Sequence, residues 1–262
     1  MWTFALAAVL TCPAQAGDLT LSRVRATYGL LGESRPDNKL LPGDQLTISF
    51  DIENIKPAAN GNVAYSIAME VTDEKSKKIF SQEPKDLEAS ISLGGNKLPG
   101  FVSLNVGLDQ PAGKYSVKVT VTDRTSRASK SITSTYEVLP KAFGLVRLTT
   151  TLDAEGQVPA ACVSEGQSLW INFLAVGFGR DMDQPNIAVS MTVLDDAGKP
   201  TLAKPFTGEV KKDVPKTAQS VPMQFMLDLN RAGKFTVELK ATDKVSGKTA
   251  TLSLPLTVQK GK

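Results

Sequence analysis

Three kinds of residue in this chain could do chemistry: paired acids, a lone thiol and an outward-facing tryptophan. None of the 262 residues is a histidine, which removes every Ser–His–Asp, Cys–His and His-Glu-x-x-His arrangement. Zinc catalysis would have to rely on carboxylates and thiols alone, which catalytic zinc sites rarely do. The acids come as Asp73 with Glu74, Asp181 with Asp183, and Asp195 with Asp196. Sugar cleavage needs two such groups held about 5–9.5 Å apart across a cleft. All six fall at expected hairpin ends or loops, where acids form turns and carry solvated charge. With no general base of suitable pKa in view, the chain is expected to be no enzyme and to need no cofactor.

Asp181, Asp183 and Asn186, in Gly-Arg-Asp-Met-Asp-Gln-Pro-Asn, gather oxygen ligands of the kind calcium takes. The central glycine and distant glutamate of a calcium loop are missing, and the first half of the chain has no counterpart. The expectation is therefore no metal, with these three as weak candidates. Trp170 lies between Leu169 and Ile171, which share one face with Phe173, so its ring points to the other face. An outward tryptophan can be a platform for a sugar or a protein partner. The plainer expectation is that a neighbouring domain or loop covers it.

The first residues frame the compartment. An apolar stretch from Trp2 to Leu10 is followed by Ala14-Gln15-Ala16, the small residues a signal peptidase needs, so residues 1–16 read as a signal peptide cut after Ala16. The stretch is far short of the roughly 20 residues that span a bilayer, and no membrane span is expected. No lysine or arginine precedes it, a departure from the usual pattern. Cys12 is a possible lipid-attachment residue, although Thr11 stands where a smaller residue is usual. With the peptide removed, Cys162 is the remaining thiol and has no intrachain partner. It is expected to be buried and inert, since no flanking cation would lower its pKa.

Lysine and arginine number 30 against 27 aspartates and glutamates. The densest basic run, Lys211-Lys212, is followed at once by Asp213, so the concentrated basic stripe of a nucleic-acid binder is absent.

Those candidate groups must be positioned by strands. Leu46, Ile48, Phe50 and Ile52 alternate with polar residues, as do Val63, Tyr65, Ile67, Met69 and Val71. Strict alternation marks a strand with one face on a core and one in water. The nearest approach to a helix is Pro84-Lys-Asp-Leu-Glu-Ala-Ser-Ile-Ser-Leu, at best a turn or two. Gly-Lys-Tyr-Ser-Val-Lys-Val-Thr-Val-Thr-Asp from Gly113 matches Gly-Lys-Phe-Thr-Val-Glu-Leu-Lys-Ala-Thr-Asp from Gly233, an offset of 120. Gly43 and Gly166 open a second matching pair at an offset of 123. Collinear matches of this kind point to one β unit of domain size written twice. The expected boundary lies at Leu139-Pro140-Lys141-Ala142-Phe143-Gly144, with residues 17–140 and 141–262 as the two domains and Phe143 packed at the junction. Each half offers about seven strands, and one-faced apolar sheets need a second sheet opposite.

At Leu-Asp-Gln-Pro-Ala-Gly-Lys-Tyr-Ser-Val, Leu108 to Val117, the chain resembles the sixth-strand entry of bacterial Ig-like and fibronectin-III-like domains. The resemblance implies two tandem Ig-like antiparallel β-sandwiches, an all-β fold. It also implies that Tyr115 is a tyrosine corner, its hydroxyl bonded to an upstream backbone group. Phe235 stands in its place in the second half, so there only ring packing is left. Val117 and Val237 replace the second cysteine of a true immunoglobulin domain, and its third-strand tryptophan is missing too. No catalysis is implied. The functional expectation is an exported, periplasmic or secreted non-catalytic module of the cell envelope, with a protein or envelope polymer as partner. The alternative is a carbohydrate-binding or inhibitor-like accessory protein in which Trp170 would matter.

Overall fold

A computed structural model describes residues 18–261. The expected signal peptide, with Trp2 and Cys12, lies outside the described residues. Among the described residues every regular element is a β-strand.

In the first half, β1 (Thr20–Thr27), β3 (Gln45–Glu53) and β6 (Lys97–Asn105) form a three-stranded sheet in the order β1-β3-β6. Facing it are β2 (Lys39–Leu40), β8 (Ser129–Val138), β7 (Gly113–Asp123), β4 (Asn62–Asp73) and β5 (Lys78–Ser90), in that order across a five-stranded sheet. All pairs are antiparallel except β2 with β8, which run parallel. The second half follows the same plan. β9 (Gly144–Thr151), β11 (Ser168–Val176) and β14 (Ser220–Asp228) make the small sheet. The large one runs β10 (Val163–Ser164), β16 (Thr249–Gln259), β15 (Gly233–Asp243), β12 (Ile187–Asp195) and β13 (Phe206–Val210). Each half is a β-sandwich of eight strands, one more than the alternation suggested, because β2 and β10 are two residues long and too short to show a period.

The alternating residues do what their spacing demands. Leu46, Ile48, Phe50 and Ile52 of β3 meet Val63, Ile67 and Val71 of β4 and Val117, Val119 and Val121 of β7 in one buried cluster. Leu169, Ile171 and Phe173 take the same role in the second cluster, with Phe143 among them. Burial of these side chains is the main driving term, at about 25 cal/mol per Å² of apolar surface removed from water. The Pro84 segment is not helical. Through Ser90 it belongs to β5, whose pattern is almost wholly exposed, because β5 is an edge strand. Pro84 and alternating charges suit that edge, since they discourage pairing with another chain.

A bulge interrupts the first strand of each half, between Ser22 and Arg25 in β1 and beside Asn172–Leu174 of β11 in β9. An arginine occupies the left-handed position both times, Arg23 at φ 49° and Arg147 at φ 53°. Bulges re-aim side chains. Arg23 turns to Asp51 of its own sheet. Arg147 reaches back to the first half instead, its Nε donating to the Gly43 carbonyl at 2.9 Å.

Candidate functional site

Asp73 and Asp195 are occupied by their own turns. Asp73 accepts from the amides of Lys75 and Lys77, both at 2.9 Å. Asp195 accepts from those of Ala197 and Lys199 at 3.0 and 2.9 Å. Glu74 caps the Lys114 amide at 2.9 Å. Asp181 sits in a tight bridge with Gln184, and the carboxylate of Asp183 is paired with Lys216. The Asn186 side-chain oxygen is buried with no hydrogen-bond partner. Among the described residues no three His, Cys, Asp or Glu side chains are grouped to hold a metal ion.

Two acids that matter more are Asp123 and Asp243, the closing aspartates of the matched segments, 1% and 0% exposed. Asp123 accepts from the amides of Thr125 and Lys56 at 2.8 and 3.0 Å. Asp243 accepts from those of Val245 and Gly179 at 3.1 and 2.8 Å. Each therefore ties a hairpin of the large sheet to the chain leaving the small one. Burial pushes both carboxyls upward, but the amides and serine hydroxyls around them outweigh it and hold both below the usual carboxylate range.

Trp170 is half-buried on the outer face of the small sheet, opposite Thr151 and Met226. It lies at the far end of β11 from Val176, which packs toward Gly43 at the junction. It is thus neither fully covered nor a free platform. Cys162 departs from expectation. It is exposed, because it sits in the loop before β10 and not on a core-facing strand position.

The aromatic corner shows how the halves diverge. Tyr115 is buried, its hydroxyl donates to the Pro111 carbonyl at 2.8 Å, and its ring stacks on Tyr136 at 5.3 Å. The same register position in the second half pairs Phe235 with Leu256. Arg231, four residues before Phe235, lies over its ring at 5.0 Å. Where the first half is filled by two rings, the second is open. A cleft of about 430 Å³ runs there between the sheets, floored by Phe235, Leu256 and Leu227, with Leu202 and Phe206 at its rim. In the first half β5 pairs with β4 as far as Thr72–Lys78, whereas β13 stops at Met191–Phe206. Beyond that the chain returns beside β12 only through the Leu194–Pro200 bridge and the Thr201 amide, which donates to the Val193 carbonyl, and residues 202–205 loop past the cleft.

The halves meet through polar and apolar contacts. Tyr28, which follows β1, is buried in the second half's core, its hydroxyl donating to the Ser253 carbonyl at 3.3 Å. Asp44 accepts from the Arg147 amide at 2.8 Å and pairs with Arg35 at 2.9 Å, both partners' side chains nearly buried. Arg35 in turn lies over the Tyr28 ring at 5.1 Å.

No protein-family model matches the chain, and no curated protein does. Solved structures share features of the fold at low similarity. The C-terminal domain of the Streptococcus agalactiae AgI/II polypeptide BspA is 9% identical, covers 90% of this chain and 99% of its own, and gives a TM-score of 0.30. The fibronectin(III)-like modules of Clostridium thermocellum CbhA are 13% identical over 92% of this chain and 94% of theirs, at a TM-score of 0.24. The Pseudomonas fluorescens DNA glycosylase AlkC is 12% identical over 47% of this chain, with a TM-score of 0.33. This chain spans 31% of that enzyme. Similarity this low carries nothing about family, and the sandwich assignment rests on the strand pairing itself.

Proposed function

We propose that the chain is a non-catalytic interaction or structural module of the cell envelope, exported by its N-terminal segment and built from two Ig-like sandwiches. The occupation of its carboxylates supports this reading best. Asp44, Asp51, Asp123 and Asp243, the buried acids, are each committed to amides or cations that hold the structure together. A general acid or base needs a proton to exchange near the working pH, whereas the partners of Asp51, Asp123 and Asp243 hold those carboxyls below the usual carboxylate range. Recognition would run through sheet faces, the loops at the sandwich ends or an open edge.

The test is fractionation of the native host with an antibody to the chain, followed by chemical cross-linking of the intact envelope. The proposal expects the shortened chain in the envelope fraction, cross-linked to a defined partner. A full-length cytoplasmic chain, or turnover by the purified protein in a hydrolase panel, would overturn it. A carbohydrate role would show as glycan-array binding with a blue shift of Trp170 emission.

A further inference from the structure

We infer that the inter-sheet cleft of the second sandwich binds a small amphiphile, an apolar body ending in a carboxylate. This goes beyond the module reading above and does not depend on it. The first half supplies the reference state. At the same register positions Tyr115 and Tyr136 stack and close the space between the sheets. Leu256 in place of Tyr136 removes a ring, Phe235 loses the hydroxyl that tied Tyr115 to Pro111, and the non-strand residues 202–205 before β13 leave the side open at Leu202. The result is a cleft of about 430 Å³, within the roughly 300–1,000 Å³ range of small-ligand sites. Its lining is mostly apolar, and Leu202 is 54% and Phe206 39% exposed, surface that an apolar body would remove from water.

The polar end is set by charge. Arg231 is the cation lining the cleft, held over the Phe235 ring and paired with no carboxylate among the described residues. The acid beside it, Asp228, already accepts the Ser168 hydroxyl at 2.8 Å. A carboxylate at the mouth would find the guanidinium and the Asn230 amide, while the apolar body lies on Phe235, Leu256 and Leu227. An aliphatic acid and an aromatic acid share this chemistry, and two probes separate them.

Dodecanoate, below its micelle concentration, and 2-naphthoate are titrated calorimetrically into the full chain, with dodecanol as the uncharged control. Saturable binding of one equivalent is expected for at least one acid, and the tighter of the two identifies the body. Arg231→Gln should weaken that acid about tenfold, the scale of one charge-assisted hydrogen bond, and leave dodecanol unchanged. Leu256→Tyr, which restores the first half's arrangement, should abolish binding. Should that variant fail to fold, Leu202→Glu and Phe206→Glu at the exposed rim should do the same. No saturable binding, equal binding of dodecanol and dodecanoate, or wild-type affinity in the filled or charged variants would overturn the inference. So would a wild-type dimer in sedimentation that Leu202→Glu dissociates, since a second copy would then be the occupant.

Discussion

The carboxylate of Asp44 accepts a hydrogen bond at 2.8 Å from the backbone amide of Arg147, 103 residues further along the chain. Its other oxygen holds Arg35 at 2.9 Å, with the two side chains 5% and 9% exposed. One acid therefore serves a buried cation of the first sandwich and a bulge amide of the second. Removing it strands both. Asp44→Ala is expected to cost about 3–5 kcal/mol, the scale for breaking a buried ion pair from one side. Urea denaturation followed by circular dichroism measures it. A cost below about 1 kcal/mol, the value of an exposed pair, would show that the junction does not depend on this contact.

Low pH should act on a second pair of acids. Asp123 and Asp243 have folded-state pKa values held below those of the unfolded chain. For a depressed carboxyl the unfolded state takes up the proton first as pH falls. Their stabilisation is therefore complete above about pH 5 and lost below about pH 4, as the pH descends toward the folded values. The melting temperature should fall steeply in that window. Asp243→Asn should flatten the fall and lower stability at pH 7 by about 1–3 kcal/mol.

Gly177 follows β11 at φ +65°, and a Cβ there would run into the Ala142 carbonyl. Both the left-handed backbone and the backbone neighbour oppose any side chain. Gly177→Ala is expected to destabilise by more than about 1 kcal/mol, whereas Gly198→Ala, at φ +75° with open space around it, should show the backbone cost alone. Differential scanning calorimetry of the two variants separates the terms.

The exposed Cys162 should react with a thiol reagent in the folded protein nearly as fast as in urea. Peptide mapping of the labelled chain locates the modification. Protection by more than about a hundredfold, as for a thiol reached only through unfolding, would contradict its exposure.

Much of the strand content was legible because a half-buried strand writes its two faces alternately into the chain. The central strands β4, β7 and β11 are of this kind, and β3 alternates in type although its polar face, Thr47, Ser49 and Asp51, is buried as well. The exposed edge strand β5 leaves no such record, although β6, an edge of the small sheet, does. The Pro84 segment reads as polar and broken because β5 has little to bury on either side. The closing Thr-Asp of the matched segments was visible as a repeat, but its role was not, since a buried acid satisfied by distant amides leaves no local signal. Lys56 and Gly179, which supply those amides, lie 67 and 64 residues away. The cleft did have a signal. The offset of 120 that aligns Tyr115 with Phe235 also aligns Tyr136 with Leu256, and two rings against one is a difference in volume that a fold must either fill or leave open.

The parallel pairing of β2 with β8 bears on how each sandwich would respond to tension. β2 lies near the start of the first half and β8 closes it, joined by amide–carbonyl bonds from Glu137 to Asn38 and from Leu139 to Leu40 at 3.0 and 2.8 Å. A pull on the two ends of that half drags these strands in opposite directions along their length. The bonds then bear load together in shear and cannot open one after another like a zip, so a short seam can resist stretching out of proportion to its size.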